Sequence, residues 1–486
     1  MWWMILGGCA TSSTFELTVQ LHAAPSQDPF EERTISLWVD GAELSLEDQG
    51  GLLQVDGVDA LDADAMVEVS ALAADGAVRA YGAARLSDAV AEGSATVDVL
   101  VAEVGEFAPV TSLGVGQQRI LGAMAVVPGG DAYLFGGEPT ASNNNGDVLH
   151  FSGLDVWDPV VKRVGALPAG VDFLGNPLVG RIGPWATAVE DDDGPMVLVT
   201  GGRSELGSTA GGSAEAFLFD PATDEFVEIP QMRSSRFEHR GVVMDGGNVV
   251  LFGGQLGPLP VEVYRPSQRR FTLGDVIPNT GAWQVRGAKL GDLGALVCGG
   301  AIAQSVDWTA TDGCYRITRA GAAEQVASLP IPLSAHAMAE LPGARVLVTG
   351  GWTGVIVDSP VAFSTIPASD RAFVFDYALN EWAEVPTMRA PRAHHSAVSL
   401  SDGTVAVVGG DEAATGIFGE LVVPNDCVEV FVEGTGFVLR GCGGAAGGAD
   451  LVAATYPGEA ALFLEGWSDT IGLAGGARLG MVGTGP

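Results

Sequence analysis

Lysine is almost missing from this 486-residue chain: only Lys162 and Lys289 occur, and 24 basic residues face 60 acidic ones for a net charge of −36. Such a field repels nucleic-acid phosphates and anionic membrane surfaces, which excludes both as partners of the globular part. No run of 18 apolar residues exists, so no segment reads as a membrane-spanning helix. Phosphate-loop, GxSxG and CxxC or Cys/His zinc patterns are also missing, and no cofactor or metal is expected. The acidic run Asp191–Gly194 lacks the ligand spacing of a calcium loop and reads as a solvated hairpin turn.

Glycine, in contrast, is abundant: 69 glycines and 26 prolines accompany a 47% hydrophobic content, the composition of a folded, turn-rich, all-β chain. Short apolar runs end repeatedly on two glycines, as in DAYLFGG (Asp131–Gly137), MVLVTGG (Met196–Gly202) and NVVLFGG (Asn248–Gly254). GALVCGG (Gly294–Gly300), ARVLVTGG (Ala344–Gly351) and TVAVVGG (Thr404–Gly410) continue the series, and EAALFLEGW is a degenerate seventh copy ending at Gly466–Trp467. The second glycines lie 65, 52, 46, 51, 59 and 56 residues apart. At the end of a strand, a glycine pair permits positive φ and close approach of a neighbouring backbone.

Two further registers share this period. After the diglycine, a large residue is followed seven positions later by a second one: Trp157/Val164, Phe219/Phe226, Tyr264/Phe271, Phe375/Trp382 and Val430/Phe437. Fourteen residues before the first glycine stand His239, His336 and His395, and three residues earlier stand Arg119, Arg236 and Arg392. Together these features resemble kelch repeats over residues 115–486. The resemblance implies a kelch-type β-propeller, with seven blades from seven hairpins and six blades as the alternative.

Residues 14–107 lack the period. Strand-like alternation covers Phe15–Ala23, Thr34–Gly41, Ala65–Ala73, Val78–Leu86 and Ala95–Val104, which predicts a small antiparallel sandwich of immunoglobulin-like shape. Glu106 to Val115 reads as the linker. The ring is expected to be closed by strands from Ser468–Pro486, or by Phe107–Val110 from the N-terminal side.

The first residues, MWWMILGGC, resemble a bacterial lipobox, although no basic residue precedes the apolar stretch. That implies residues 1–13 as signal and anchor, lipidation at Cys9 and a place in the bacterial cell envelope; an ordinary secretion signal is the alternative. The remaining four cysteines fall in pairs on neighbouring strands, Cys298 with Cys314 and Cys427 with Cys442, which predicts two disulfides. Buried free thiols are the other reading.

Function is expected in recognition rather than catalysis. The long insertions Glu138–Gly146, Ser204–Ser213 and Trp352–Ser369 all follow a diglycine and should gather on one face, with Trp308 and Trp352 as exposed anchors. The candidate surface comprises Arg119, Arg236, His239, His336, Trp352, Arg392 and His395. Its expected partner is a protein or glycan, bound by a monomer. The repeated Arg and His positions are also readable as structural groups that satisfy strand ends. The alternative function is an extracytoplasmic enzyme acting on sugars, as in some kelch-like propellers, with the Arg and His residues at the channel mouth.

Overall fold

The computed structural model describes residues 2–7, 16–23, 33–39, 42–44, 46–48, 52–55, 65–76, 78–85, 94–103, 107–112, 119–128, 130–139, 146–153, 160–172, 175, 177–178, 180–204, 212–254, 259–278, 283–304, 307–357, 365–400, 403–415, 421–425, 427–442, 452–456, 460–464 and 478–483. The fold is all-β. Among the described residues the one helical element is the 3-10 turn Pro266–Gln268, and no helix is long and apolar enough to cross a membrane.

The N-terminal strands form one continuous nine-stranded order. Its members Glu16–Ala23, Thr34–Val39, Met66–Leu72, Val78–Arg85 and Ser94–Glu103 fall where the alternation places them. Leu17, Val19, Leu21, Leu37, Val39, Val67, Val69, Val97, Val99 and Val101 share one core, so residues two apart on each strand bury the same face. Two pairings depart from the antiparallel expectation: Glu16–Ala23 runs parallel to Ser94–Glu103, and Trp2–Gly7 runs parallel to Leu52–Val55. Trp2–Gly7 pairs antiparallel with Glu16–Ala23, while Cys9 lies outside the described residues.

Seven four-stranded antiparallel sheets follow. The first six begin with the strands Ala123–Val126, Trp185–Asp191, Arg240–Val243, Arg286–Lys289, Ala337–Leu341 and Ser396–Ser399. The seventh begins with Val452–Tyr456 and runs through Ala460–Leu464 and Arg478–Gly483 to Phe107–Ser112. Each leading strand contacts those of the two neighbouring sheets, and the seventh contacts the first, so the succession closes on itself. This arrangement is compatible with a β-propeller.

The last sheet corrects the linker expected at Glu106–Val115. Phe107–Ser112 is instead its outermost strand, paired with Arg478–Gly483, and both proposed closing segments take part. Pro109 is tolerated because the strand is an edge, and the register slips between Pro109 and Thr111.

The spacing of seven places Phe219, Tyr264 and Phe375 directly opposite Phe226, Phe271 and Trp382. Ring centroids in these pairs are 5.1, 4.9 and 5.0 Å apart. Val430 is an exception: it faces Val438, and Phe431 takes Phe437 at 5.2 Å. The hairpin there closes between Val432 and Gly436, one residue shorter than the turn between Asp220 and Glu225. Trp157 lies outside the described residues. Asp191–Gly194 is the expected turn, and Arg269 of the third sheet pairs with its Asp191 at 2.8 Å and with Asp193.

The glycine doublets join the sheets. In the first six, both glycines have φ between 60° and 99°. The second glycine donates its N–H across the sheet boundary: Gly137 to Arg181 O (2.8 Å), Gly202 to Arg236 O (2.8 Å), Gly300 to Leu333 O (2.9 Å) and Gly351 to Arg392 O (2.7 Å). A Cβ on Gly136, Gly201, Gly299 or Gly350 would collide with the same carbonyl oxygens. Gly350→Ala therefore meets both the left-handed conformation and a rigid backbone atom, and should lose at least ~3 kcal/mol of stability. Urea unfolding followed by circular dichroism measures it; a midpoint matching the parent protein would contradict this role.

Candidate functional site

Residues preceding each leading strand build two layers, one buried and one nearer the edge of the ring, where Glu238 and His394 are half-buried and Gln284 and Ala335 stay buried. In the buried layer, Arg236 donates to the carbonyls of Gly253 (2.7 Å) and Pro260, with Glu262 Oε1 at 3.4 Å. Arg392 repeats the pattern on Gly409 O (3.0 Å), Cys427 O (2.7 Å) and Glu429 Oε1 (2.7 Å). Each carboxylate also accepts backbone N–H groups: Glu262 from Arg233 and Ser234, Glu429 from Arg389. One guanidinium thereby ties its own glycine doublet to the third strand of its sheet. Both arginines and both glutamates are wholly buried, a geometry in which each charge needs the other.

Sequence reasoning missed the second-sheet member, Arg181, which binds Gly201 O (3.3 Å), Pro168 O (3.3 Å) and Glu215 Oε2 (2.5 Å). The hairpin Trp185–Thr200 is three residues longer than its counterparts, which moves this arginine out of the counted register. Glu262 and Glu429 were legible in principle, since each stands two residues before the large third-strand residue, Tyr264 or Phe431.

The histidines bridge adjacent sheets. His239 Nε2 lies 2.8 Å from Thr200 Oγ1, and His395 Nε2 lies 2.8 Å from Thr349 Oγ1; both threonines immediately precede a glycine doublet. Burial, reinforced by Arg236 and Arg392 respectively, holds both imidazoles well below their ordinary value of 6.5. His336 is pushed down to about 3 by burial and Arg286, and neither of its ring nitrogens has a hydrogen-bond partner among the described residues. Arg236, His239, His336, Arg392 and His395 are therefore interior groups, not the surface expected of them. Trp352 is likewise 3% exposed, because its backbone bridges Ser334 and Ala368 and draws the ring inward. The backbone of Arg119 pairs with Pro139.

The second layer consists of single residues in the left-handed region: Leu121 (φ 53°), Gly183 (64°), Glu238 (51°), Gln284 (54°), Ala335 (51°) and His394 (54°). They stand side by side around the ring. Gly183 N–H donates to Leu121 O (2.8 Å), Glu238 to Gly183 (2.7 Å), Ala335 to Gln284 (3.2 Å) and His394 to Ala335 (2.9 Å). Strain of this kind costs on the order of 1–3 kcal/mol per non-glycine residue and collects where side chains must be aimed.

Three of these side chains carry polar chemistry. Glu238 accepts from Arg203 (2.7 Å) and from Trp283 Nε1 (3.1 Å). Gln284 Nε2 donates to His394 Nε2 at 2.7 Å, which leaves the imidazole proton on Nδ1, 3.3 Å from Asp411 Oδ2. Trp283 packs on Trp308 at 4.9 Å between ring centroids, and Trp352 meets His394 edge-on at 5.8 Å. Segments after the doublets pair with one another here: Ala301–Gln304 and Asp307–Ala310 pair onward to Val355–Val357, and Thr365–Pro367 pairs with Asp411–Thr415. Residues 140–145, 205–211 and 358–364, the greater part of the three insertions expected to share one face, lie outside the described residues. Half-buried indole rings beside a guanidinium, carboxylates and an amide suit a ligand with both hydroxyl groups and apolar faces. His394 was passed over in the sequence because its neighbour His395 holds the repeat register.

Cys298 and Cys314 form a disulfide between Cα partners 4.2 Å apart. Cys427 is also disulfide-bonded and stands opposite Cys442 in the register, while the side chain of Cys442 lies outside the described residues.

No family model matches the chain, and no curated protein matches it. Among solved structures, one titled "Structure of YjhT" shares 12% identity and covers 68% of this chain and 99% of its own, with a TM-score of 0.48.

The three buried imidazoles fix a pH dependence. Their folded values lie below 6.5, so the native state binds fewer protons than the unfolded one under acid conditions. Stability is complete above about pH 6.5 and is lost as pH falls, through to about 3 for His336. Urea midpoints measured from pH 6.5 down to about 4.5, the start of the ordinary glutamate range, should fall steadily, and less steeply in His336→Phe. Equal slopes would contradict a neutral buried His336.

Proposed function

We propose that residues 107–486 are a seven-bladed kelch-type propeller, carried on a small β-sandwich and anchored to the bacterial cell envelope through a lipidated Cys9. In this reading the chain is a monomeric, non-enzymatic binding protein whose propeller recognises a glycan at the edge of the ring. Support for the propeller comes from the closed succession of leading strands and the repeated glycine-to-carbonyl bonds. The glycan reading rests on one observation: Trp283 and Trp308 stand beside Arg203 and beside Glu238, Gln284 and His394, the last three at strained backbone positions. Indole faces cover the apolar face of a sugar while fixed acceptors and donors take its hydroxyls.

An extracytoplasmic enzyme acting on sugars is the second reading. Its favouring observation is the His394–Asp411 pair at Nδ1; a substrate hydroxyl would have to displace the Gln284 amide from Nε2 before the imidazole could act as a base. The arginines and histidines first considered for that role are held separately inside the sheet boundaries.

Screening the full chain on a glycan array should give a defined set of binders. Trp283→Ala and the isosteric Glu238→Gln should each weaken binding by about tenfold or more, in line with loss of an interface anchor. Leu379→Ser, at a residue 67% exposed on a far turn, should leave it intact. Full affinity in both edge variants would sink the site, and conversion of a bound sugar to product would favour the enzyme. For the anchor, Cys9→Ser should move the protein from the membrane to the soluble fraction. An unchanged distribution would refute lipidation.

A further inference from the structure

The Cys298–Cys314 bridge closes the segment 299–313, which holds the hairpin Ala301–Gln304 and Asp307–Ala310 and thus Trp308. Next to it lies His336, fully buried with both ring nitrogens unpartnered. The two equivalent imidazoles lack a partner only at Nδ1, because Nε2 of His239 and His395 is met by Thr200 and Thr349.

All three rings sit alike. A Cβ on the first glycine of the preceding doublet would lie 2.8 Å from His239 Cε1, 2.8 Å from His336 Cε1 and 2.7 Å from His395 Cε1. The residue before that doublet is Thr200, Cys298 or Thr349. Cys298 therefore holds the hydroxyl position, and its sulfur is bonded to Cys314 instead of donating to His336.

We propose that Cys298–Cys314 is a reversible disulfide whose reduced form is stabilised by a hydrogen bond from the Cys298 thiol to Nε2 of His336. A dithiol reductant supplies two electrons and two protons: its thiolate attacks one sulfur, the mixed disulfide is resolved by its second thiol, and the chain is left with two thiols. The freed Sγ–H then does for His336 what the threonine hydroxyls do for the other two imidazoles. A neutral imidazole accepts such a bond, and burial keeps His336 neutral. Both cysteines are buried, so exchange passes through local opening of the hairpin. The equilibrium is set by the end states alone. This inference is independent of the ligand at the ring edge.

The full chain is brought to equilibrium in glutathione buffers, trapped with an alkylating agent and mapped by mass spectrometry. At a given poise the ratio of reduced to oxidised Cys298/Cys314 should be about tenfold higher in the parent protein than in His336→Phe, which corresponds to about 30 mV. Ratios equal within about twofold, the scatter expected of single contributions, would overturn the proposal. Should His336→Phe fail to fold, nitrogen-15 histidine spectra of the parent protein decide. Reduction should shift the Nε2 resonance of one buried histidine, and spectra identical in both redox states would overturn the proposal equally.

Discussion

The ring depends on one hydrogen bond repeated at four sheet boundaries: the N–H of the second doublet glycine, Gly137, Gly202, Gly300 or Gly351, to a backbone carbonyl just before the next leading strand. Four instances fall between 2.7 and 2.9 Å. The bond brings two backbones within contact distance, so Gly136, Gly201, Gly299 and Gly350 have no room for a side chain, and both glycines of these doublets adopt positive φ. Once it is made, the separation and pitch of adjacent sheets are fixed, and the apolar faces of neighbouring sheets close into clusters that span the boundary, such as that joining Val250 and Val263 to Val297 and Ile317.

That approach creates a polar problem which the arginines solve. Carbonyls of the doublets and of the third-strand entry are buried at the boundary, and a buried acceptor without a donor costs about 1–3 kcal/mol. Arg236 and Arg392 reach two such carbonyls each while pairing with a glutamate that in turn accepts backbone N–H groups. Removing either member of such a pair strands a buried charge, a loss of about 3–5 kcal/mol. Repetition at the period of the sheets is what a satisfied boundary requires. It is also why these residues, chemically tempting in a list, are poor candidates for converging on a ligand. The residue one place before the histidine differs: its backbone is held left-handed by the neighbouring sheet, and its side chain is free to vary, as Leu121, Gly183, Glu238, Gln284, Ala335 and His394 do.

The contrast explains what was legible. Doublets, leading strands and the opposed pairs Phe219/Phe226, Tyr264/Phe271 and Phe375/Trp382 could be read because identical packing recurs at a fixed offset. Arg181 could not, because three extra residues in one hairpin break the count although the contact survives. The final strand Phe107–Ser112 was hidden for another reason: its partner, Arg478–Gly483, lies at the far end of the chain, and no local pattern encodes such a pairing. The ring-edge cluster was least legible. Gln284 and His394 are 110 residues apart, each joined to Ala335 by a backbone hydrogen bond, a relation that only the succession of sheets creates.

Charge ties these levels together. Three of the 24 basic residues are placed inward: Arg181, Arg236 and Arg392 are almost fully buried against Glu215, Glu262 and Glu429. Each such pair removes one charge of each sign from the surface, so the excess of 36 negative charges stays in full on an exterior left with fewer cations. At physiological salt that field is screened within about 8 Å, too short to draw a partner from afar but long enough to disfavour an anion at contact. At the ring edge Arg203 is already bound by Glu238, and His394 leans on Asp411. The proposed neutral, hydroxyl-rich ligand would avoid the repulsion and use the indole rings, whereas an acidic one would face carboxylates with Arg203 already engaged by Glu238. In the proposed reading, the scarcity of positive charge that disfavours nucleic acid also favours an uncharged ligand at the ring edge.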